Sequence, residues 1–271
     1  MSELAVEITG VRAGYGPTDA LTEVSLTVPR GELCAVLGPN GAGKSTLVKL
    51  LSGALRPRAG TVKIAGEDLA TLDRRAIARL VAVVPQQVEV ALGFRVREVV
   101  MMGRAPHQGA WMSASAADRE AVDRAVEACE LEELLDRPVA ELSGGEQKRV
   151  AIARALAQEA RVLILDEAGA HLDVRHAIAI NEVVARELER RDLACVNVLH
   201  DLNAAAQYAD RIALLKTGKI VAEGTVEEVM TYRRLKEVFE IELFVGVNEL
   251  DDTRYFLPVR PRSRPRRPRD L

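Results

Sequence analysis

"LCAVLGPNGAGKSTLVKLLSG", residues Leu33 to Gly53, decides the fold. Its first five residues are a short, uninterrupted apolar run, the composition of a strand buried on both faces. Gly38, Pro39, Asn40, Gly41, Ala42, Gly43, Lys44 and Ser45 then fit the pattern G-x-x-x-x-G-K-[ST], with a strand before and a helix after, the context this motif requires. The glycines let the backbone curl so that its N–H groups face a triphosphate at a helix N-terminus. Lys44 supplies a point charge to the β- and γ-phosphates, and Ser45 a hydroxyl for Mg²⁺. Gly53 ends the helix that follows.

Working outward, "AVEITGVRAGYG" and "ALTEVSLTVPRGE" alternate as strands split by a Gly/Pro turn, and predict an antiparallel edge. "TVKIAGEDL" reads as a short strand pair, and "RLVAVVPQQ" as a strand stopped by Pro85. Val122, Ala125, Val126 and Cys129 fall at i, i+3, i+4 and i+7, so "DREAVDRAVEACELEELLDR" predicts a helix within a mostly helical insertion near residues 87–141. "RVLILDE" and "ACVNVLHD" are further buried strands, and "RIALLKTGKIVAEG" a hairpin about Thr217-Gly218. Strands alternating with helices predict an α/β protein with a mostly parallel sheet, an N-terminal antiparallel β subdomain and a helical insertion. Residues 1–258 are expected to form this domain. Residues 259–271, with Arg260, Arg262, Arg264, Arg266, Arg267 and Arg269 among prolines, are expected to be a disordered tail.

The chain has 271 residues, 48% hydrophobic and 28% charged, with a formal net charge of −3. That balance suits an ordinary globular protein and gives no global attraction to nucleic acid, and aromatics at 3% are too few for base-stacking platforms. Cys34, Cys129 and Cys195 are scattered without metal-ligand spacing, as small buried hydrophobes in a reducing compartment are. The N-terminal residues show no basic and apolar leader, and no apolar run approaches the roughly 20 residues of a spanning helix. A cytoplasmic protein is expected, with any membrane role borrowed from a partner.

Three more stretches carry chemistry. "LILDE" ends a buried strand in two carboxylates: Asp166, suited to the Mg²⁺ shell of a P-loop protein, and Glu167, placed to orient or deprotonate an attacking water. Gln86 follows a strand and Pro85, where an amide can touch metal or water. His200 ends "CVNVLH" at a strand's C-terminal edge, where ligands of parallel sheets gather; His107, His171 and His176 carry no readable signal. "LSGGEQKR", Leu142 to Arg149, is a second phosphate-facing stretch: Ser143 and the N–H groups of Gly144 and Gly145 precede a helix expected to begin near Glu146.

In this order, the P-loop, Gln86, LSGGE, LILDE and His200 resemble the nucleotide-binding subunit of an ABC transporter, from about Leu4 to about Gly224, with LSGGEQ the most specific element. The resemblance implies ATP and Mg²⁺ as cofactors and assigns roles. Tyr15 would stack on adenine, and Gly38 to Thr46 would wrap the phosphates. Gln86 would be the Q-loop residue at the metal and the attacking water, Ser143 to Glu146 the signature, and Asp166 the Mg²⁺-associated acid. Glu167 would be the catalytic base, Asp173 part of the D-loop, and His200 the switch histidine at the γ-phosphate. It further implies a head-to-tail dimer in which LSGGE of one copy caps ATP held by the other. The family's Pro-Thr after the acidic pair is here Ala168-Gly169, which should loosen the D-loop backbone.

"VREVVMMGRAPH", "AHLDVRH" and "HDLNAAAQYADRI" are similar to importer ATPases for iron–siderophore, haem or cobalamin. They imply a separate integral membrane permease, a substrate-binding protein acting through it, and a peripheral position on the inner face of the cell membrane. Two other classes compete: an ABC ATPase acting on nucleic acid or ribosomes, and a P-loop phosphotransferase. Neither a coiled-coil insertion nor a second cassette supports the first, and a phosphotransferase needs no second γ-phosphate cap.

Overall fold

The structure, a computed structural model, describes residues 3–87, 93–109, 113–169 and 174–259. The Arg/Pro tail from residue 260 onward, His171 and Asp173 lie outside the described residues. The chain opens with two long strands, β1 (Leu4–Tyr15) and β2 (Thr18–Pro29), then β3 (Leu33–Leu37) and α1 (Lys44–Leu51). Next come β4 (Ala59–Ile64), β5 (Glu67–Asp68), α2 (Arg74–Leu80) and β6 (Val81–Val84). Helices α3 (Val96–Met101), α4 (Ala116–Ala128) and α5 (Gly144–Ala157) precede β7 (Val162–Asp166), α6 (Val174–Arg190) and β8 (Ala194–Val198). The last part holds α7 (Leu202–Tyr208), β9 (Arg211–Lys216), β10 (Lys219–Gly224), α8 (Val226–Val229), α9 (Tyr232–Phe239), β11 (Leu243–Val247) and β12 (Arg254–Pro258).

Two main sheets form. One is antiparallel, in the order β2-β1-β4-β5; the other has the order β10-β9-β3-β8-β7-β6. In the second, β9, β3, β8, β7 and β6 run parallel, and only β10 turns back, about Thr217-Gly218. The apolar runs explain this order: all of LCAVL and all of ACVNV are buried, which a strand needs only when both its faces are covered. Alternation on β3 shows the two layers directly. Leu33, Ala35 and Leu37 join a core with α3, α4, α5 and α6, while Cys34 and Val36 join a core with α1 and the antiparallel sheet. The cysteines behave as hydrophobes: burial pushes the Cys34 and Cys129 thiols up to about 12 and raises Cys195 as well.

The helix expected through Arg137 stops at Ala128. Leu131 N–H donates to Val126 O at 3.1 Å and Glu130 N–H to Glu127 O at 3.1 Å, a Schellman closure with Glu130 at φ 52° in the place usually held by glycine. Turning there sends Leu131 into the core, fully buried. The stripe Val122, Ala125, Val126 and Cys129 is buried as its spacing predicts. Helices α3 and α4 pack on each other and on α5 through one shared apolar core, and an ion pair ties them further. Arg104, 5% exposed, donates to Asp118 Oδ1 at 2.9 Å on α4 and to Ala157 O at 2.7 Å at the end of α5.

Candidate nucleotide site

Four parallel strands deliver the site at their C-terminal ends, where the loops of an open α/β sheet leave a crevice for a ligand. The loop after β3 turns into α1 through Gly43, at φ 110°, where a Cβ would lie 2.9 Å from Ala20 O. No side chain caps α1. Its first-turn N–H groups therefore remain for an anion. Lys44 is 7% exposed and folds back over its own loop, donating to Gly38 O at 2.8 Å and Pro39 O at 3.2 Å. Burial lowers its pKa, against the opposing pull of Glu167 and Asp166. Ser45 is exposed and Thr46 buried. Asn40 and Gly41 lie exposed at the rim, and Ala42 is buried beneath them.

Glu167 follows β7 in a left-handed conformation, φ 52°, held by its N–H on Val198 O at 3.0 Å. A glutamate so placed is strained backbone that its neighbours over-determine, a pattern concentrated at reacting centres. Two side chains from neighbouring strand ends converge on its carboxylate. Gln86 Nε2 donates to Oε2 at 2.6 Å, and His200 Nε2 contacts Oε1. Burial, then the adjacent Glu167 charge, raises the pKa of Asp166; Lys148 and Lys44 act in the opposite direction. Among the described residues no side chain hydrogen-bonds the Asp166 carboxylate. Tyr15, half exposed at the end of β1, has Lys49 Nζ of α1 5.3 Å from its ring centroid.

The second loop is built differently. Helix α5 begins at Gly144, not near Glu146, because Ser143 and Glu146 form a capping box. Glu146 N–H donates to Ser143 Oγ at 3.3 Å, while Ser143 N–H and Oγ both donate to Glu146 Oε2 at 2.7 Å. Those bonds lower the Glu146 pKa. Gly144 faces open space, whereas a Cβ at Gly145 would collide with the His176 imidazole on α6. No hydrogen bond or ion pair among the described residues joins Ser143–Glu146 to the loop at 38–46.

The sequence reading missed Lys148. It is buried on α5 and donates to Pro85 O at 2.7 Å and Gln86 O at 2.9 Å. Only its position four residues past Gly144 in a helix with a polar first turn could have signalled it.

With this geometry the comparisons agree. The family pattern described as ABC transporter matches residues 21–170. The chain belongs to the ABC transporter family. As an ABC ATPase it binds ATP and couples ATP hydrolysis to transport. It is 38% identical to the "probable siderophore transport system ATP-binding protein YusV" of Bacillus subtilis, over 95% of this chain and 94% of that protein. It is 44% identical to the "hemin import ATP-binding protein HmuV" of Gloeobacter violaceus, over 83% of each. The ABC ATPase fold is also that of an inward-facing "putative metal-chelate type ABC transporter", with a TM-score of 0.83, 24% identity and coverage of 95% of this chain and 98% of that one. A dimeric ATP-binding cassette in a post-hydrolysis state, bound to ADP and Pi, matches with a TM-score of 0.71 and 28% identity, covering 82% of this chain and 98% of that one. No helix among the described residues of this ABC ATPase is long and apolar enough to cross a membrane.

Proposed function

We propose that this ABC ATPase powers an importer of an iron chelate, haem or cobalamin. It would work as a head-to-tail pair of copies on the cytoplasmic face of an integral membrane permease that receives cargo from a substrate-binding protein. The observation that carries the hydrolytic part is the convergence of Gln86 and His200 on Glu167, beside a loop whose helix N-terminus has no cap of its own. The relatives named as siderophore and hemin import proteins support the cargo class.

The residues fit ATP with Mg²⁺. Lys44 satisfies its ammonium on the carbonyls of its own loop, bonds that phosphate oxygens can replace, and α1 presents unused N–H groups. Among the described residues no three His, Cys, Asp or Glu side chains cluster as a metal site. A divalent ion there would lean on nucleotide phosphates, with the Ser45 hydroxyl, the Asp166 carboxylate and the Gln86 amide as protein partners. When bound, Mg²⁺ neutralises charge on the β- and γ-phosphates.

Glu167 accepts a proton from the attacking water or holds it in line. His200, released from Glu167, donates to a γ-phosphate oxygen. Tyr15 stacks on the base, and Asp173 belongs to the D-loop. The N-terminus of α5, with Ser143, Gly144 and Gly145, caps the γ-phosphate of the partner's nucleotide. Reconstitution with the permease and cargo-loaded binding proteins tests the cargo class. Stimulation by an iron-chelate-, haem- or cobalamin-loaded partner is expected; stimulation by maltose-, amino-acid- or phosphate-loaded partners alone would contradict it.

A further inference from the structure

Lys148 and Lys44 are the two buried lysines among the described residues, and the P-loop motif accounts for only one of them. Lys148, 4% exposed, sits one helical turn past the Ser143–Glu146 cap on α5. Among the described residues its ammonium makes no short ion pair. It donates instead to two consecutive backbone carbonyls, Pro85 O at 2.7 Å and Gln86 O at 2.9 Å, with the Asp166 charge nearby. Burying an ammonium is unfavourable unless its donors are satisfied, so a position serving only the core would take an apolar side chain. What the two bonds fix is the main chain that carries the Gln86 amide to Glu167 Oε2 at 2.6 Å.

We propose that Lys148 is a positioning residue for ATP hydrolysis. It sets Gln86 against Glu167, and so makes that contact follow any movement of α5. The consequence concerns both nucleotides of a dimer. The N-terminus of α5 would touch the partner's nucleotide, and about 6 Å further along the same helix Lys148 grips the loop serving its own. Capping one nucleotide then adjusts the groups that hydrolyse the other. This rests on the readings of Glu167 as base and of LSGGE as a cap in trans.

The test is a double-mutant cycle in the full-length chain, alone and with its permease, using Lys148→Met, Gln86→Ala and the pair. Lys148→Met is expected to lower kcat about 10- to 100-fold, as small misplacements of reacting groups do. KM for ATP should stay within about twofold, because the lost interaction does not bind nucleotide. In the Gln86→Ala background the same change should have little further effect, since the side chain it positions is gone. Lys148→Arg should recover most of the activity, because a guanidinium can donate to both carbonyls.

Equal loss from Lys148→Met with and without Gln86 would overturn the proposal, as would wild-type kcat in Lys148→Met. Should Lys148→Met fail to fold by thermal melting, Lys148→Gln, which has fewer donors, takes its place in the same cycle under the same criteria. The underlying reading fails separately: Glu167→Gln with near-normal turnover would remove the base and leave the outcome of the Lys148–Gln86 cycle to be read by itself.

Discussion

The two phosphate-facing loops of this chain solve opposite problems. The loop at Gly38–Thr46 has no side-chain cap, and Lys44 closes over it with bonds to its own carbonyls. Around it stand Asp166 and Glu167 at the end of β7, His200 two residues past β8 and Gln86 two residues past β6. The loop at Ser143–Glu146 closes a capping box that takes up the N–H groups of Ser143 and Glu146 and its only carboxylate, and leaves those of Gly144 and Gly145 outside the box. One loop has the chemistry of hydrolysis; the other has an ordered helix end, an exposed glycine and nothing reactive. That difference is what the proposed reading uses, in which the second loop serves a site completed by a neighbouring copy.

Glu167→Gln should break the first loop's chemistry with the largest effect. Removing a positioned base lowers turnover by about 10²–10⁴-fold, while ATP binding to the P-loop remains and the closed dimer accumulates. Steady-state ATPase with nucleotide binding measured on the same sample checks this, and turnover within a few-fold of the wild type would remove Glu167 from the role.

The platform behind the second loop is tested at Arg104, which ties α4 to the end of α5 through Asp118 and Ala157. Arg104→Ala leaves a buried carboxylate unpaired, and a loss of about 3–5 kcal/mol in chemical unfolding is expected. A loss no greater than that of an exposed arginine would show that the ion pair does not hold the helices together.

A smaller change sharpens the comparison. Ser115 on α4 and Ser143 on α5 make the same kind of capping box. Ser115→Ala and Ser143→Ala should each lower stability by about 1 kcal/mol, but only Ser143→Ala should also lower kcat. Equal kcat for the two variants would reduce LSGGE to a helix cap.

A further effect is one of pH. The Ser115 backbone N–H, then the Arg104 guanidinium, hold Asp118 at about 2, below its ordinary 3.8. A depressed carboxylate contributes stability above its unfolded value, and that contribution is lost as pH falls from about 3.8 through about 2. Melting temperature across this window should therefore fall more steeply in the wild type than in Asp118→Asn; parallel curves would contradict the assignment.

Much of this was legible because it is local. The strand–loop–helix at Leu33–Leu51, the strand ends at Asp166 and Val198 and the hairpin about Thr217-Gly218 are fixed by apolar runs and glycines within a few residues. The end of α4 was hidden because Glu130, not glycine, takes the left-handed position. The start of α5 lies two residues before Glu146, at Gly144, because Ser143 and Glu146 close a capping box. The contacts of Lys148 with Pro85 and Gln86, and of Gln86 with Glu167, join residues 62 to 81 apart, beyond any periodicity. The C-terminal hairpin β11–β12 gave no usable pattern; it is held to α7 by Asn203, whose amide exchanges two hydrogen bonds with Phe256.

The central claim is that the second loop serves a neighbour, and mixing two inactive variants tests it most directly. Ser143→Arg should block the cap while leaving ATP on the P-loop, and Lys44→Ala should weaken ATP binding itself. A mixed dimer has one composite site with both lesions and one with neither. With crosslinking used to verify that mixed dimers form, ATPase activity should reappear on mixing and scale with the mixed-dimer fraction. Crosslinked mixed dimers as inactive as either parent would mean strict coupling of the two sites or an LSGGE that works within its own chain, and a Ser143→Arg chain with wild-type turnover would contradict the claim outright.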